Sequence, residues 1–132
     1  MTFSIERQNR DCRYRLLLRG ELDLASAPDV ESTLTELCEA GALEIEIDLR
    51  AVTFIDSAGL HAILRAKELC RDHRADFFVV RGEAFSQRRL FDLTGLTERI
   101  PWRKPQDAAA VSESPAAVEQ PHGSAAAKAS AL

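Results

Sequence analysis

An acidic residue, a hydroxyl and two very small residues stand together in the run Asp56-Ser57-Ala58-Gly59. The apolar residues before this run and the helical pattern after it place Ser57 where the chain enters a helix. Because Ala58 and Gly59 leave the hydroxyl unshielded, the backbone or the active site of another protein can approach it. Glycine lowers helix stability by about 0.5–1 kcal/mol relative to alanine, so close approach of another group would explain Gly59. The run therefore predicts a serine that reacts as a nucleophile or is contacted by another protein.

A purely structural explanation of the same run remains open. Ser57 would be the N-cap of the helix, and Asp56 would be favoured by the positive end of the helix dipole. Gly59 would then be needed only for tight packing. Local sequence alone does not decide between this explanation and a contact site.

A serine hydrolase is an alternative, because Asp56, Ser57 and His61 lie close in sequence. His61 follows Ser57 by four positions, so the two side chains would share a helix face. The nucleophile elbow requires Gly-x-Ser-x-Gly, however, and Ile55 occupies the position of the first glycine. A triad also needs a group that orients the base and an oxyanion hole, and the sequence supplies neither visibly. We therefore expect no catalytic residue, and we expect His61 to be a partly exposed residue that touches a partner.

Several strands and helices must position this run. Ser4 to Gln8 and Tyr14 to Arg19 predict an N-terminal β-hairpin. Ser26 and Asp29 predict an N-cap and a variant of the capping box at the start of the first helix. The remaining elements follow from apolar periodicity and turn residues: that first helix to Gly41, a strand over residues 43–49, an apolar connection over residues 51–55, a helix from Asp56 to Asp72, a strand over residues 77–80, a helix from Phe85 to Leu93, and a last short strand between Leu96 and Trp102.

The residues of the strand over 43–49 alternate between apolar and acidic, which predicts one buried face and one solvated face. Helices should cover mainly one face of the sheet, since a strand covered on both faces would be apolar throughout. The element order β-β-α-β-α-β-α-β and right-handed crossovers predict a mainly parallel sheet. The predicted fold class is therefore α/β.

The composition divides the chain near residue 102. All eight aromatic residues lie at or before Trp102, whereas residues 103–132 hold ten alanines, three prolines and four serines. A segment of that composition buries too little apolar surface to offset the entropy of ordering. We expect one folded domain over residues 1–102 and a disordered, Ala/Pro/Ser-rich tail over residues 103–132.

Charge and cysteine usage exclude several classes of protein. The net charge of −4 argues against a nonspecific nucleic-acid binder, and the arginines of the N-terminal hairpin are interspersed with acids, so we expect no direct nucleic-acid contact. Cys12, Cys38 and Cys70 form no Cys-x-x-Cys pair, and there is no His-x-x-x-His pair, so neither a metal nor a disulfide framework is expected. Without an apolar leader or a long apolar run, we expect a cytoplasmic protein that makes no membrane contact.

The run from Asp48 to Leu60, Asp-Leu-Arg-Ala-Val-Thr-Phe-Ile-Asp-Ser-Ala-Gly-Leu, resembles the signature of the STAS domain. More narrowly, it resembles the bacterial anti-sigma factor antagonists, whose pattern is roughly Asp-Leu-Ser-x-Val-x-Phe-Ile-Asp-Ser-Ser/Ala-Gly-Leu. Two further stretches match in the same order: Gly20-Glu21-Leu22-Asp23 after the second strand, and the Leu-Thr-Gly-Leu that ends at Leu96. The resemblance spans about residues 3 to 102. It implies a STAS-like fold with a mixed, mainly parallel sheet.

The resemblance implies a protein switch and not an enzyme. Antagonists of this family bind a cytosolic anti-sigma factor that is also a serine kinase, and binding frees the sigma factor for transcription. The kinase phosphorylates the serine after the Asp of the motif, which is Ser57, and a phosphoserine phosphatase resets the released antagonist. No cofactor is implied. The expected partner-binding residues are Glu21, Asp23, Asp56, Ser57, Ala58, Gly59 and His61.

Arg50 and Ala58 depart from the family pattern. Arg50 stands where a small polar residue is usual, and Ala58 replaces a common second serine, which removes an ambiguity about the phosphorylated residue. Other STAS domains are scaffold subunits of stress-signalling assemblies or accessory parts of transport systems, and these remain alternatives. A monomer or weak dimer would favour the antagonist, and a megadalton particle would favour the scaffold. The acids near the two loops, Asp29 among them, predict a basic surface on the partner.

Overall fold

The computed structural model describes residues 3–95 and 97–104. Along the chain lie β1 (Ser4–Arg10), β2 (Arg13–Leu22), α1 (Ala27–Glu39), β3 (Glu44–Ile55), α2 (Ser57–Asp72), β4 (Asp76–Val80), α3 (Phe85–Thr94) and a 3-10 turn (Thr97–Arg99). The strands form one sheet in the order β1-β2-β3-β4, in which β1 is antiparallel to β2 and the other neighbours are parallel. This confirms the predicted mixed, mainly parallel sheet. The predicted tail lies outside the described residues from residue 105 onward.

The last strand, predicted between Leu96 and Trp102, is not formed by the described part of that segment. A 3-10 turn stands there, and Trp102 makes a single parallel bridge to Val79, while Leu96 lies outside the described residues. The Val79 N–H donates to Pro101 O at 3.0 Å, and the Arg103 N–H donates to Val79 O at 2.8 Å. Proline has no N–H to donate to a strand ladder, so a short bridge is all that this segment supplies.

β3 is longer than predicted, because residues 51–55 continue the strand to Ile55 instead of forming a connection. Leu22 at the end of β2 lies opposite Ile55 at the end of β3. Register shifts between Leu17 and Arg19, and again after Gly20, let the two strands stay paired to their ends. The two loops that carry the candidate residues therefore leave the sheet side by side.

The apolar face of the sheet is covered by α1 and α2, which also pack on each other. Ile45, Ile47 and Leu49 are fully buried in one core with residues of both helices. The Sγ atoms of Cys38 in α1 and Cys70 in α2 lie 4.0 Å apart. Burial raises the pKa of both thiols, so both cysteines are uncharged packing residues at neutral pH.

The acidic face of β3 is buried and not solvated, contrary to the sequence prediction. Glu46 is 1% exposed and accepts from Arg15 Nε at 3.1 Å and from an Arg103 guanidinium nitrogen at 2.7 Å. Arg103 also donates to Glu44 at 3.0 Å, and its guanidinium carbon lies 3.8 Å from the ring centroid of Phe78. The alternation in sequence correctly predicted which face of β3 is polar. The arginines that pair with these acids come from a neighbouring strand and from beyond residue 102, so their burial was not visible in the sequence of the strand.

Burial would lower the pKa of the Arg103 guanidinium, but its hydrogen bonds to Glu44 and Glu46 outweigh that effect and raise it. Arg103 is thus held as a cation against the sheet, one residue beyond the predicted limit of the folded domain. Arg50, the departure from the family pattern, folds back on its own strand and pairs with Asp48 at 2.7 Å. Its hydrogen bond to Asp48 raises the pKa of Arg50.

Candidate functional site

The loop after β2 is held by its own polar side chains. Asp23 Oδ1 accepts from the backbone N–H groups of Ala25 at 3.1 Å and Ser26 at 3.2 Å. Ser26 Oγ donates to Glu21 O at 2.7 Å and accepts from the Asp23 N–H at 3.0 Å. The loop is therefore a compact turn, and the half-buried Asp23 is fixed within it.

The predicted capping box of α1 does not form. Ser26 has helical backbone angles and makes no capping hydrogen bond with its side chain, whereas a capping serine is ordinarily extended. Its hydroxyl is used inside the loop instead. Pro28 in the first turn removes one of the N–H groups that would otherwise need a cap.

Asp56, and not Ser57, is the N-cap of α2. Its backbone is extended, and its Oδ1 accepts from the Gly59 N–H at 3.0 Å. Ser57 is then the first helical residue; it is exposed, and within the described residues its hydroxyl makes no hydrogen bond. The structural explanation that assigned the cap to Ser57 is therefore wrong. The hydroxyl stands free at the positive end of a sixteen-residue helix.

Gly59 lets α2 approach the end of β2. A Cβ at this position would lie 2.4 Å from Leu22 O and 2.9 Å from Ile55 Cγ1, and the residue is buried. The Asp56 N–H also donates to Leu22 O, at 3.3 Å. The close approach that Gly59 permits is thus to the protein's own backbone. Its predicted contact with a partner remains a prediction, and its observed contact fixes the two loops relative to each other.

Replacing Gly59 with alanine is expected to lower the free energy of unfolding by about 1–3 kcal/mol, because the new methyl group collides with a backbone oxygen. Helix propensity alone would give the opposite sign, a gain of about 1 kcal/mol. Chemical denaturation followed by circular dichroism measures the difference. Ser57→Ala in the same turn is the control and should change stability by less than about 0.5 kcal/mol. A stabilised Gly59→Ala variant would contradict the packing argument.

The other predicted contact residues lie around these two loops. Glu21 is exposed near the end of β2, opposite Phe54 of β3. Ala58 is half-buried, and His61 is exposed one helical turn after Ser57. The two loops and the first turns of α2 therefore present Glu21, Asp23, Asp56, Ser57 and His61 at the end of the sheet where β2 and β3 stop.

Gln87 is a residue of this region that the sequence analysis missed. It is fully buried; its Nε2 donates to Leu49 O at 2.9 Å and Val52 O at 3.0 Å, and its Oε1 accepts from the Gly82 N–H at 2.9 Å. One signal was available: Gln87 lies four residues before Phe91, so a polar side chain occupies the buried face of α3.

The start of α3 lies beside the end of β3. Ser86 Oγ donates to Thr53 O at 3.4 Å, and the Gln87 bonds hold the same helix turn to the strand. Gly82 is required at this place, because a Cβ there would lie 2.5 Å from both Leu49 O and Gln87 Nε2. The loop between β4 and α3 therefore reaches the same end of the sheet as the Asp23 and Ser57 loops.

Within the described residues the geometry does not form the triad that a serine hydrolase would need. The carboxylate of Asp56 is engaged with the Gly59 N–H, and among the described residues no hydrogen bond links Ser57, His61 and an acid. Free N–H groups and the dipole at a helix N-terminus can hold a phosphate on Ser57. Over residues 3–95 and 97–104, no group of three His, Cys, Asp or Glu could hold a metal ion. No helix in these ranges is both long enough and apolar enough to cross a membrane.

Comparisons with known proteins agree on one family. Residues 3–109 match the family model of the STAS domain. The anti-sigma-B factor antagonist of Staphylococcus aureus (strain NCTC 8325 / PS 47) is 29% identical over 98 residues, which are 74% of this chain and 90% of that protein.

Two solved structures are similar over most of their length. An anti-sigma factor antagonist from Mycobacterium paratuberculosis superposes with a TM-score of 0.69 at 27% identity, over 85% of this chain and 96% of that one. The Bacillus cell fate determinant SpoIIAA, in its phosphorylated form, superposes with a TM-score of 0.60 at 19% identity, over 83% of this chain and 97% of that one. The second likeness concerns the fold alone.

Proposed function

The chain belongs to the STAS domain family, and from this premise we propose that it acts in the cytoplasm as an anti-sigma factor antagonist. An antagonist acts by binding: it occupies the anti-sigma factor and so frees the sigma factor. The partner that we propose is an anti-sigma factor that is also a serine kinase. The partner surface is the sheet end formed by Glu21, Asp23 and the Asp56–Gly59 turn, together with His61.

The observation that carries the proposal is the state of the Ser57 hydroxyl. It is exposed, it makes no hydrogen bond within the described residues, and it is the first residue of α2. Asp56 has taken over the capping role that would otherwise occupy a serine at such a place. Ser57 is therefore available as a phosphate acceptor without loss of a structural contact. In the step that we propose, the Ser57 oxygen attacks the γ-phosphorus of ATP, its proton passes to a base of the kinase, and the bond to the bridging oxygen breaks so that ADP leaves.

The added charge explains how the switch would work. A phosphoserine carries about −1.5 to −2 charges at neutral pH. The fold tolerates that charge, because the helix N-terminus offers N–H groups and a favourable dipole. The complex does not, because the dianion would be desolvated next to the Asp56 carboxylate in an interface fitted to a neutral hydroxyl. Phosphorylation should thus release the partner and leave the antagonist folded, and a phosphoserine phosphatase would restore binding.

The first test is phosphorylation by a candidate serine-kinase anti-sigma factor in the presence of ATP. Mass spectrometry of the intact chain and of its peptides should find one phosphate, located on Ser57. The exposed Ser32 of α1 offers a matched control: Ser32→Ala should still be phosphorylated, whereas Ser57→Ala should not. Phosphate on another residue, or none with any candidate kinase of the same genome, would reject Ser57 as the switch.

The second test measures affinity for the same kinase by calorimetry. Ser57→Ala should bind as tightly as the unphosphorylated protein and should not be released by ATP, because it cannot be charged. Ser57→Asp should bind at least about tenfold more weakly, since it brings a carboxylate into the centre of the interface. Ser32→Asp adds the same charge on α1 and should leave affinity unchanged. Equal affinities for wild type, Ser57→Asp and the phosphorylated protein would contradict the mechanism.

A further inference from the structure

Large apolar side chains are exposed at the end of the sheet that carries Ser57. Among the described residues five such side chains are exposed: Leu24, Leu43, Phe54, Phe85 and Leu93. Leu24 is 76% exposed in the loop after β2, Phe54 is 43% exposed near the end of β3, and Phe85 is 66% exposed at the start of α3. Leu24 follows the end of β2, Phe54 is the next-to-last residue of β3, and Phe85 is the first residue of α3 after the loop that leaves β4.

Hydrogen bonds to backbone oxygens link the segments that carry these three residues. Leu24 lies two residues after Leu22, whose carbonyl oxygen accepts from the Asp56 N–H. Phe85 precedes Ser86, whose hydroxyl donates to Thr53 O, next to Phe54. Leu24 thus lies on the side of β2 and Phe85 on the side of α3, with Phe54 and the Ser57 turn at the end of the strand between them.

The charges at this end are divided in the same direction. Glu21, Asp23 and Asp56 lie on the side of Leu24. On the side of Phe85, Arg88 and Arg89 are exposed, and the Arg89 guanidinium carbon lies 5.7 Å from the ring centroid of Phe85. Glu83, two residues before Phe85, is also exposed, so the Phe85 side carries charges of both signs whereas the Leu24 side is acidic. The basic partner surface expected from the sequence therefore concerns the Leu24 side.

We propose that Leu24, Phe54 and Phe85 are the apolar anchors through which the anti-sigma factor holds this protein, an inference that rests on the proposed function. A kinase that transfers phosphate to Ser57 must enclose the hydroxyl, so the same protein covers the side chains that flank it. Buried apolar and aromatic side chains near the centre of an interface supply most of its affinity. The partner presents apolar pockets flanked by basic groups on the Asp23 side.

The apolar anchors and Ser57 have different roles in binding. The three anchors carry no titratable group, so their burial is available to the phosphorylated and the unphosphorylated protein alike. Ser57 then decides whether the complex forms, and the anchors set how tightly it forms. Loss of an anchor should therefore weaken binding and raise the KM for phosphorylation of Ser57, with little change in kcat.

The chain offers its own controls. Leu43 precedes β3 and so lies at the opposite end of the sheet, and Leu93 lies in the last turn of α3; they are 55% and 72% exposed. Substitution of either by serine removes as much exposed apolar surface as substitution of an anchor. The two controls therefore show the effect of lost surface hydrophobicity alone, and any larger effect in an anchor variant reflects the loss of a contact with the partner.

The experiment compares Leu24→Ser, Phe54→Ser and Phe85→Ser with Leu43→Ser and Leu93→Ser. Calorimetry of each unphosphorylated variant with the kinase partner and its phosphorylation kinetics are measured, and Tm identifies any variant that is misfolded. Leu24 and Phe85 are the more exposed anchors, so these two variants decide the matter if Phe54→Ser is unstable. We expect each anchor variant to bind about tenfold more weakly or worse, and each control to stay within about threefold of wild type.

The outcomes separate this inference from the proposed function. If wild type binds and is phosphorylated but the anchor variants have the same affinity and KM, the assignment of the anchors is wrong and the antagonist function stands. Equal weakening of anchors and controls also overturns the inference. If wild type binds no serine-kinase anti-sigma factor of its genome, the proposed function fails and the anchors fail with it.

Discussion

Replacement of Glu46 by alanine is expected to lower the free energy of unfolding by about 3–5 kcal/mol, the usual effect of removing one partner of a buried ion pair. The side chains of Glu46 and Arg15 are 1% and 2% exposed, and Arg103 donates to the second carboxylate oxygen. Without the carboxylate, Arg15 loses a charged partner in the interior, and Arg103, which is 17% exposed, keeps only Glu44. The cation of Arg15 would remain buried after its main counterion was gone.

A surface pair of the same chemistry is the control for Glu46→Ala. Glu36 pairs with Arg7 at 2.9 Å, but their side chains are 63% and 43% exposed. Glu36→Ala should therefore change stability by less than about 1 kcal/mol. Urea denaturation of the two variants, followed by circular dichroism, gives both values. Equal and small effects would mean that the polar face of the sheet contributes no more than a surface salt bridge.

Replacement of Gln87 by leucine should lower the free energy of unfolding by about 2–4 kcal/mol, although leucine has similar size and a good helix propensity. The substitution leaves the carbonyl groups of Leu49 and Val52 and the N–H of Gly82 without the partner that they have in the buried interior. Each such unsatisfied group carries a penalty of about 1–3 kcal/mol, partly relieved by relaxation. The effect should be seen in the midpoint of denaturation.

The neighbouring residue provides the comparison for Gln87→Leu. Arg88 is exposed in the same helix turn, so Arg88→Leu should change stability by less than about 0.5 kcal/mol. Gln87→Leu should also loosen the start of α3 from β3, which faster hydrogen exchange at residues 85–88 would reveal. Unchanged stability would show that other groups satisfy the three backbone atoms.

The sequence located the helices near the site well, because their signals are local. The small residues after Asp56 and the apolar positions up to Cys70 defined α2, and Gly95 ended α3 with a left-handed conformation. The apolar residues before Asp56 and the helical pattern after it placed Ser57 where the chain enters the helix, where the structure also has it. Signals of this kind depend on a few adjacent residues, so the rest of the fold is not needed to interpret them.

Partnerships between distant residues could not be predicted in the same way. Whether Asp56 or Ser57 caps α2 depends on backbone angles that two good capping residues leave undecided. The contact of Gly59 with Leu22 O requires the register of β2 against β3. The burial of Glu46 depends on Arg103, which is fifty-seven residues away. A single sequence gives polarity and periodicity, but it does not say which two polar groups will meet.

Arg103 is fixed against the sheet by its ion pair with Glu44, and its position has a practical consequence for experiments on binding. The Arg103 N–H donates to Val79 O, and Val79 lies opposite Ile47, which is eight residues before Ile55, the last residue of β3. A strand advances about 3.3 Å per residue, so the backbone of Arg103 lies about 26 Å along the strand from Ile55, beyond which the Ser57 turn begins. A fluorophore at Lys104, the exposed residue that follows, would report tumbling and complex formation from a position remote from the Ser57 turn, without obstructing the partner.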